Sequence, residues 1–306
     1  MRRWLPDGGC PARVLDGCGG SGAAAVQALL QGHEVWVCER HALGLLAARA
    51  RARAVQMDPQ RLEKLRLAFL QFGGRLAVRP PIPARRGLWH SQLRRQALAV
   101  EDFILGWEED DPEAADLLRL ALAAALTEAA ERPQVLRKIR PSRRARRRQS
   151  GLIGLLAARL GRMVEDLRRL RPKVGERPSM TAYFFNEAFP APQLPARAFD
   201  LILLSLPDGS LCGSAFAGSL DLPLLDADLL PPGARWKPRP EFPRLEHGVL
   251  QGLRRCLRKD GRAALWMPWA AEQGGWPWPA SRSGLEAAGL RDESSGIPGL
   301  LVLKTV

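Results

Sequence analysis

The residues in this chain best suited to chemistry are the run Asp16-Gly17-Cys18-Gly19-Gly20-Ser21-Gly22 and a later acid, Glu39. Glycine lets the backbone approach a bound molecule closely, and a glycine-rich turn presents main-chain N–H groups. An acid at the end of the next strand is placed to accept hydrogen bonds from ribose hydroxyls. The flanking sequence supplies the supports. Val14 and Leu15 read as a short strand, Ala23 to Leu30 as a helix closed by Gly32, and Val35-Trp36-Val37-Cys38 as a buried strand ending at Glu39. Gly32 suits a left-handed cap. A strand, a glycine turn, a helix and a second strand make one βαβ unit.

Two ligand classes use such a turn. Gly17, Gly19 and Gly22 fit the dinucleotide spacing G-x-G-x-x-G, which keeps a flavin or nicotinamide nucleotide open as the ligand. Asp16, Gly20 and Gly22 instead fit the D-x-x-x-G-x-G turn of S-adenosyl-L-methionine sites. Asp16 favours the second class. Dinucleotide folds place an apolar residue before the first glycine, whereas an acid attracts a sulfonium or an amine. A tight turn with no ligand is the plain structural alternative.

On these residues the chain resembles the class I S-adenosylmethionine-dependent methyltransferases, and among them the bacterial DNA amino-methyltransferases, whose first motif reads D-P-F-C-G-S-G-T. The match is at Asp16 and at Gly20-Ser21-Gly22, within Asp16-Gly17-Cys18-Gly19-Gly20-Ser21-Gly22-Ala23. Glu39 falls at the family's ribose-binding acid, and Glu187, in Phe185-Asn186-Glu187-Ala188, at an acid that contacts the adenine edge. Phe199-Asp200-Leu201-Ile202-Leu203 is similar to the strand that leads into the catalytic motif, and Leu253 to Arg262 to the helix, turn and strand that follow it. Ala287-Ala288-Gly289-Leu290 and the last apolar strand resemble the C-terminal hairpin.

The resemblance implies S-adenosyl-L-methionine as cofactor, with Asp16, Gly17, Gly20, Gly22, Glu39 and Glu187 as its binding residues. It also implies methyl transfer to an exocyclic amine of a nucleic-acid base, adenine N6 or cytosine N4, with DNA as the substrate. Such a reaction needs the amine's lone pair aimed at the methyl group rather than a strong acid or base. The family does this with [DNS]-P-P-[YFW]; here the corresponding residues are Ser205-Leu206-Pro207-Asp208. Ser205 and Pro207 keep the catalytic positions, while Leu206 replaces the first proline and Asp208 the ring that stacks on a flipped base. Phe216 and Trp236 are candidate substitute rings. The departure leaves a second reading: a catalytically inactive methyltransferase-fold subunit that binds nucleic acid or a protein partner.

The remaining elements must hold these residues in place. Helical patterns occupy about 42–172, including Leu43 to Val55, Pro59 to Phe72, a helix starting at Asp111-Pro112-Glu113 and ending before Pro133, and one carrying Leu152, Leu156, Leu160, Met163, Leu167 and Leu170 on one face. Strands resume at Thr181 to Phe185 and Phe199 to Leu204. A Pro/Gly-rich loop at 207–244, a helix from Leu245 to Leu257, a turn at Arg258 to Gly261, a strand from Ala263 to Met267, a short helix from Gly284 to Ala288 and a final strand from Leu300 to Leu303 complete the chain. Alternating strands and helices predict an α/β, Rossmann-like seven-stranded methyltransferase sheet with a helical insertion between the second and third strands. The expected divisions are 1–57 with the glycine turn, 58–178 as the insertion, and 179–306 with the catalytic motif.

At 306 residues, 46% hydrophobic and 25% charged, the chain has the composition of a globular protein. No apolar run reaches the roughly 18 residues a membrane helix requires, and no signal peptide is visible. Cys10, Cys18, Cys38, Cys212 and Cys256 form no C-x-x-C pair, and His33, His41, His90 and His247 are scattered, so the expectation is a reduced, cytoplasmic chain with no metal. The net charge is +14, of which +11 lies in residues 137–171. Crowded positive charge calls for an anionic partner. Arg143, Arg144, Arg146, Arg147 and Arg148 are therefore candidate nucleic-acid contacts, extended by Arg159, Arg162, Arg168 and Arg169. Without interleaved aromatics such a segment would meet phosphates rather than bases. An acidic protein partner fits the same charge.

Overall fold

The computed structural model describes Leu5 and residues 11–73, 91–136, 151–174, 181–205, 242–266, 289–293 and 300–305. The described residues divide into two compact units, one built from those up to Ala52 and those after Gly175, the other from those between Arg53 and Gly175. The helical part expected from the sequence, 58–178, starts and ends a few residues later than this second unit.

The first unit is a seven-stranded mixed sheet in the order β3-β2-β1-β4-β5-β7-β6. Its strands are β1 (Arg13–Asp16), β2 (Glu34–Cys38), β3 (Ala182–Phe185), β4 (Phe199–Ser205), β5 (Leu257–Trp266), β6 (Leu290–Asp292) and β7 (Leu300–Thr305). β3, β2, β1, β4 and β5 are parallel, and β7 runs antiparallel to both β5 and β6. The α/β class and the Rossmann-like seven-stranded sheet are those expected, with α2 (Ala42–Ala54), α3 (Pro59–Gly73), α4 (Ser91–Glu108), α5 (Pro112–Leu136) and α6 (Leu152–Val174) falling between β2 and β3.

Period-two side-chain alternation divides the sheet's residues between two faces. Tyr183, Trp36, Leu15, Ile202, Ala263 and Leu303 share a row on one face, because each is the register partner of the next. Leu15, Ile202, Leu204, Ala263, Leu265, Leu301 and Leu303 are buried there with Val249, Leu253 and Cys256 of α7 (Phe242–Cys256). Asp16, Leu203, Ala264 and Val302 form a row on the opposite face. The chain steps outward from β1 through β2 to β3, then returns to lay β4 on the other side of β1. Such a reversal opens a crevice at the strands' carboxyl ends, where ligands of open α/β sheets bind.

α1 (Ala23–Leu30) ends as its sequence predicts. Gly32 has φ 83°, its N–H donates to Leu29 O at 2.8 Å, and the His33 N–H donates to Ala28 O at 3.1 Å. This is the paired closure of a Schellman cap. The expected turn at Arg258 to Gly261 is different: β5 runs through it. Leu257 pairs with Phe199, Arg262 pairs with Leu201, and the extra residues form a bulge in which Asp260 has φ 63°. A bulge keeps both flanking segments in the sheet. α7 also begins at Phe242, inside the stretch expected to be loop. The rest of that loop and the expected helix from Gly284 to Ala288 lie outside the described residues.

At the opposite end of the strands, Asp200 is buried, accepts the Arg13 N–H at 2.8 Å and pairs with Arg258. A buried carboxylate must be partnered in this way to stay ionised without a large desolvation cost.

In the second unit, Leu62, Leu65 and Phe69 of α3, Val100 and Ile104 of α4, Leu118 and Leu126 of α5, and Leu152, Leu156 and Leu160 of α6 are buried. Asp111 caps α5, its Oδ1 accepting the Ala114 N–H at 3.1 Å while Arg61 pairs with both Asp111 and Glu113. That acid–proline–acid start is the one predicted. The end is not: α5 passes Pro133 and stops at Leu136, and α6 contains Pro172. One missing N–H is tolerable in a helix already several turns long.

Candidate functional site

The glycine turn joins β1 to α1 at the carboxyl edge of the sheet, where β1 and β4 part. Gly17 donates its N–H to Leu203 O at 2.8 Å and Gly19 donates to Cys38 O at 3.0 Å, which seats the turn between β4 and β2. The Gly22 N–H donates to Gly19 O at 2.7 Å. Gly17, Gly19 and Gly22 are buried, and a Cβ on any of them would collide with a neighbour. For Gly17 the obstacle is Leu204, for Gly19 it is Val37 Cγ1 at 2.5 Å, and for Gly22 it is Ala48 Cα at 2.5 Å. These glycines serve close packing. Gly20 and Ser21 are the exposed residues of the turn.

The two acids face the turn. Asp16 ends β1, is buried, and its Oδ1 accepts the Cys18 N–H at 3.3 Å. Burial pushes its carboxyl up to about 6, the Cys18 N–H offsets part of that, and the nearby Glu39 charge adds to it. Glu39 follows β2 and chelates two N–H groups: Gly20 donates to Oε2 at 2.7 Å and His41 to Oε1 at 2.8 Å. The Glu39 N–H in turn donates to Phe185 O at 3.0 Å, tying the ends of β2 and β3 together. Asn186, with its amide nitrogen inward, donates to Glu39 O and Arg40 O at 3.3 and 3.2 Å.

The expectation of free N–H groups in the turn is thus corrected. Those of Gly17, Cys18, Gly19, Gly20 and Gly22 are all used within the chain. A pyrophosphate held by backbone donors would have to displace the Glu39 carboxylate and approach Asp16. A sulfonium or ammonium would meet opposite charge. The donor set therefore fits the cationic end of S-adenosyl-L-methionine better than the anionic centre of a dinucleotide. The Glu39 carboxylate is half-buried at the turn.

Glu187, two residues beyond β3, accepts a hydrogen bond from Gln193 Nε2 and lies near enough to Cys38 to raise its thiol. Ser205 is the exposed last residue of β4, and its main-chain N–H hydrogen-bonds the Cys18 sulfur. So Asp16, Gly17, Gly20, Gly22, Glu39 and Ser205 come together at one edge. Pro207 lies outside the described residues, as do Asp208, Phe216 and Trp236. Burial pushes the Cys18 and Cys38 thiols up to about 12, which removes them as nucleophiles near neutral pH.

One residue at this edge escaped the sequence reading. Trp266, the last residue of β5, is the register partner of Ser205 and is 41% exposed. Its only sequence signal was its place at the end of an apolar strand.

Arg143, Arg144, Arg146, Arg147 and Arg148 lie outside the described residues. On α6, Arg159 donates to Ala124 O at 3.3 Å, Arg168 pairs with Glu165 at 2.7 Å, and Arg171 donates to Gln56 O at 3.4 Å. Of these cations Arg168 is paired with a carboxylate, and Arg162 and Arg169 are exposed. Among the described residues no helix is long and apolar enough to cross a membrane. No group of His, Cys, Asp and Glu among them could hold a metal ion.

A scan against protein-family models finds no match, and a search of curated proteins finds none. Among solved structures, the chain is similar to the rRNA methyltransferase aviRa from Streptomyces viridochromogenes, with 13% identity and a TM-score of 0.31. The similarity covers 99% of this chain and 79% of that one. A likeness of that size speaks to neither activity nor ligand.

Proposed function

We propose that the chain is an S-adenosyl-L-methionine-dependent methyltransferase that acts on an exocyclic amine of a nucleic-acid base, adenine N6 or cytosine N4 in DNA. The observation that carries this reading is the convergence of the Asp16 and Glu39 carboxylates on one glycine turn at the sheet's carboxyl edge. Bound there, the donor supplies an electrophilic methyl carbon: the amine nitrogen bonds to it as the carbon–sulfur bond breaks, leaving a neutral thioether and one proton for water. Asp16 compensates the donor's positive charge, and a cation beside it holds its carboxyl ionised. Glu39 accepts hydrogen bonds from the ribose hydroxyls with the lone pairs that Gly20 and His41 leave free. Ser205 accepts a hydrogen bond from the target amine and orients its lone pair, with Pro207 following it in the chain. Residues 137–171 contribute phosphate contacts through Arg143, Arg144, Arg146, Arg147 and Arg148.

Titration calorimetry with S-adenosyl-L-methionine and S-adenosylhomocysteine tests the donor site, and transfer of labelled methyl to DNA and RNA tests the reaction. The expected result is donor binding that Asp16→Asn weakens, and transfer to DNA that Ser205→Ala slows. Donor binding with no transfer to any nucleic acid supports the inactive-subunit reading, for which Leu206 and Asp208 in the catalytic motif speak. No heat at millimolar donor defeats the assignment.

A further inference from the structure

β5 is buried through Ala263, Ala264 and Leu265 and then opens at Trp266. Its indole is 41% exposed at the sheet's carboxyl edge, so one ring face is reachable from outside. Its position is fixed by the sheet. Leu201 to Ser205 pair in unbroken register with Arg262 to Trp266, so Ser205 and Trp266 project from the same face of adjacent strands. Neighbouring strands lie about 4.8 Å apart. Asp16 lies on that face too, in the row of Leu203 and Ala264 immediately before the row of Ser205 and Trp266. A carboxylate, a hydroxyl and an indole thus follow one another around the carboxyl ends of β1, β4 and β5, within the first unit.

We propose that Trp266 is the stacking platform that receives an unpaired base and holds its amine beside Ser205. The inference deepens the methyltransferase reading and rests on it for the identity of the target. An extruded base loses its stacking partners, and an aromatic face restores them. Stacking tolerates any base, so this surface supplies affinity and depth of insertion rather than sequence preference. No ring from the loop beyond Ser205 is needed for it, and Asp208 can stand where it does without leaving the base uncovered.

The test uses the full chain and a single-stranded oligonucleotide of abasic sites with one central 2-aminopurine, whose emission is quenched by a stacked ring. Binding is followed by anisotropy and stacking by quenching, for the wild type, Trp266→Phe and Trp266→Leu. The expected result is quenching by the wild type and by Trp266→Phe, with Trp266→Leu binding roughly ten-fold more weakly and quenching far less. Equal binding and quenching by the wild type and Trp266→Leu overturns the proposal, as does a wild type that binds without quenching. No methyl donor is present, so a chain that fails to bind donor defeats the functional reading while the stacking result still stands or falls by itself.

Discussion

Glu39 reaches back from the end of β2 to Gly20, whose N–H donates to its Oε2 at 2.7 Å. The acid therefore shapes the turn it is proposed to serve. Glu39→Gln keeps an acceptor for one N–H and removes the charge. We expect it to fold and to bind donor about ten-fold more weakly, a loss of about 1.4 kcal/mol typical of a charge-assisted hydrogen bond. Glu39→Ala removes both acceptors and should also cost about 1 kcal/mol of stability in denaturant titration.

Asp16 predicts a pH dependence. Its carboxyl sits at about 6 against an ordinary 3.8, so between those values the folded chain holds more proton than the unfolded one. Stability conferred by this group is full below pH 3.8 and falls as pH rises through about 6. The total is on the order of 3 kcal/mol. Asp16→Asn should lose that slope, measurable as a flatter stability profile between pH 4 and 6. Binding of a cationic donor has the opposite sign and should tighten as pH rises through about 6, because it needs the ionised form.

Two glycines should respond oppositely to alanine. Gly22 has φ 77° and no room for a Cβ beside Ala48, so Gly22→Ala should cost roughly 2–4 kcal/mol. Gly161, inside α6 with nothing within 4 Å of an added Cβ, should gain about 0.5–1 kcal/mol as alanine. Thermal melts of the two variants give shifts of opposite sign if the turn is packed as described.

Replacing Arg143, Arg144, Arg146, Arg147 and Arg148 together by alanine should weaken duplex DNA binding and flatten its salt dependence. Five lost phosphate contacts correspond to a slope smaller by about 4.5 in log affinity against log salt. An unchanged slope would remove the segment from the interface.

The Asp200–Arg258 pair is a structural control. Arg258→Ala leaves a buried carboxylate with only the Arg13 N–H, and should cost about 1–3 kcal/mol, discounted because the guanidinium is half exposed. Donor affinity, read at the other end of the strands, should not change.

Much of this was legible in the sequence because it is local. The βαβ unit announced itself through Val14, the glycines, Gly32 and Val35 to Cys38, each acting within a few residues of its signal. Asp111 and Pro112 did the same for α5. What was missed depends on partners distant in the chain. Asp260 and Gly261 carry real turn chemistry, but the pairing of Leu257 with Phe199 turns it into a bulge within β5. The glycines' N–H groups looked available until Leu203, Cys38 and Glu39 were seen to accept three of them. Trp266 became a candidate through β4–β5 register, and Arg159 is held on its helix's neighbour by the Ala124 carbonyl, a partner 35 residues away in the chain.

Tyr183 is the chain's single tyrosine, and its ring lies 4.4 Å from that of Trp36. At that separation an excited phenol passes its energy to the indole, so the folded chain should show almost no tyrosine emission. Full unfolding, which carries the phenol away from the indoles, should raise it, an optical reporter of the folded sheet that needs no label.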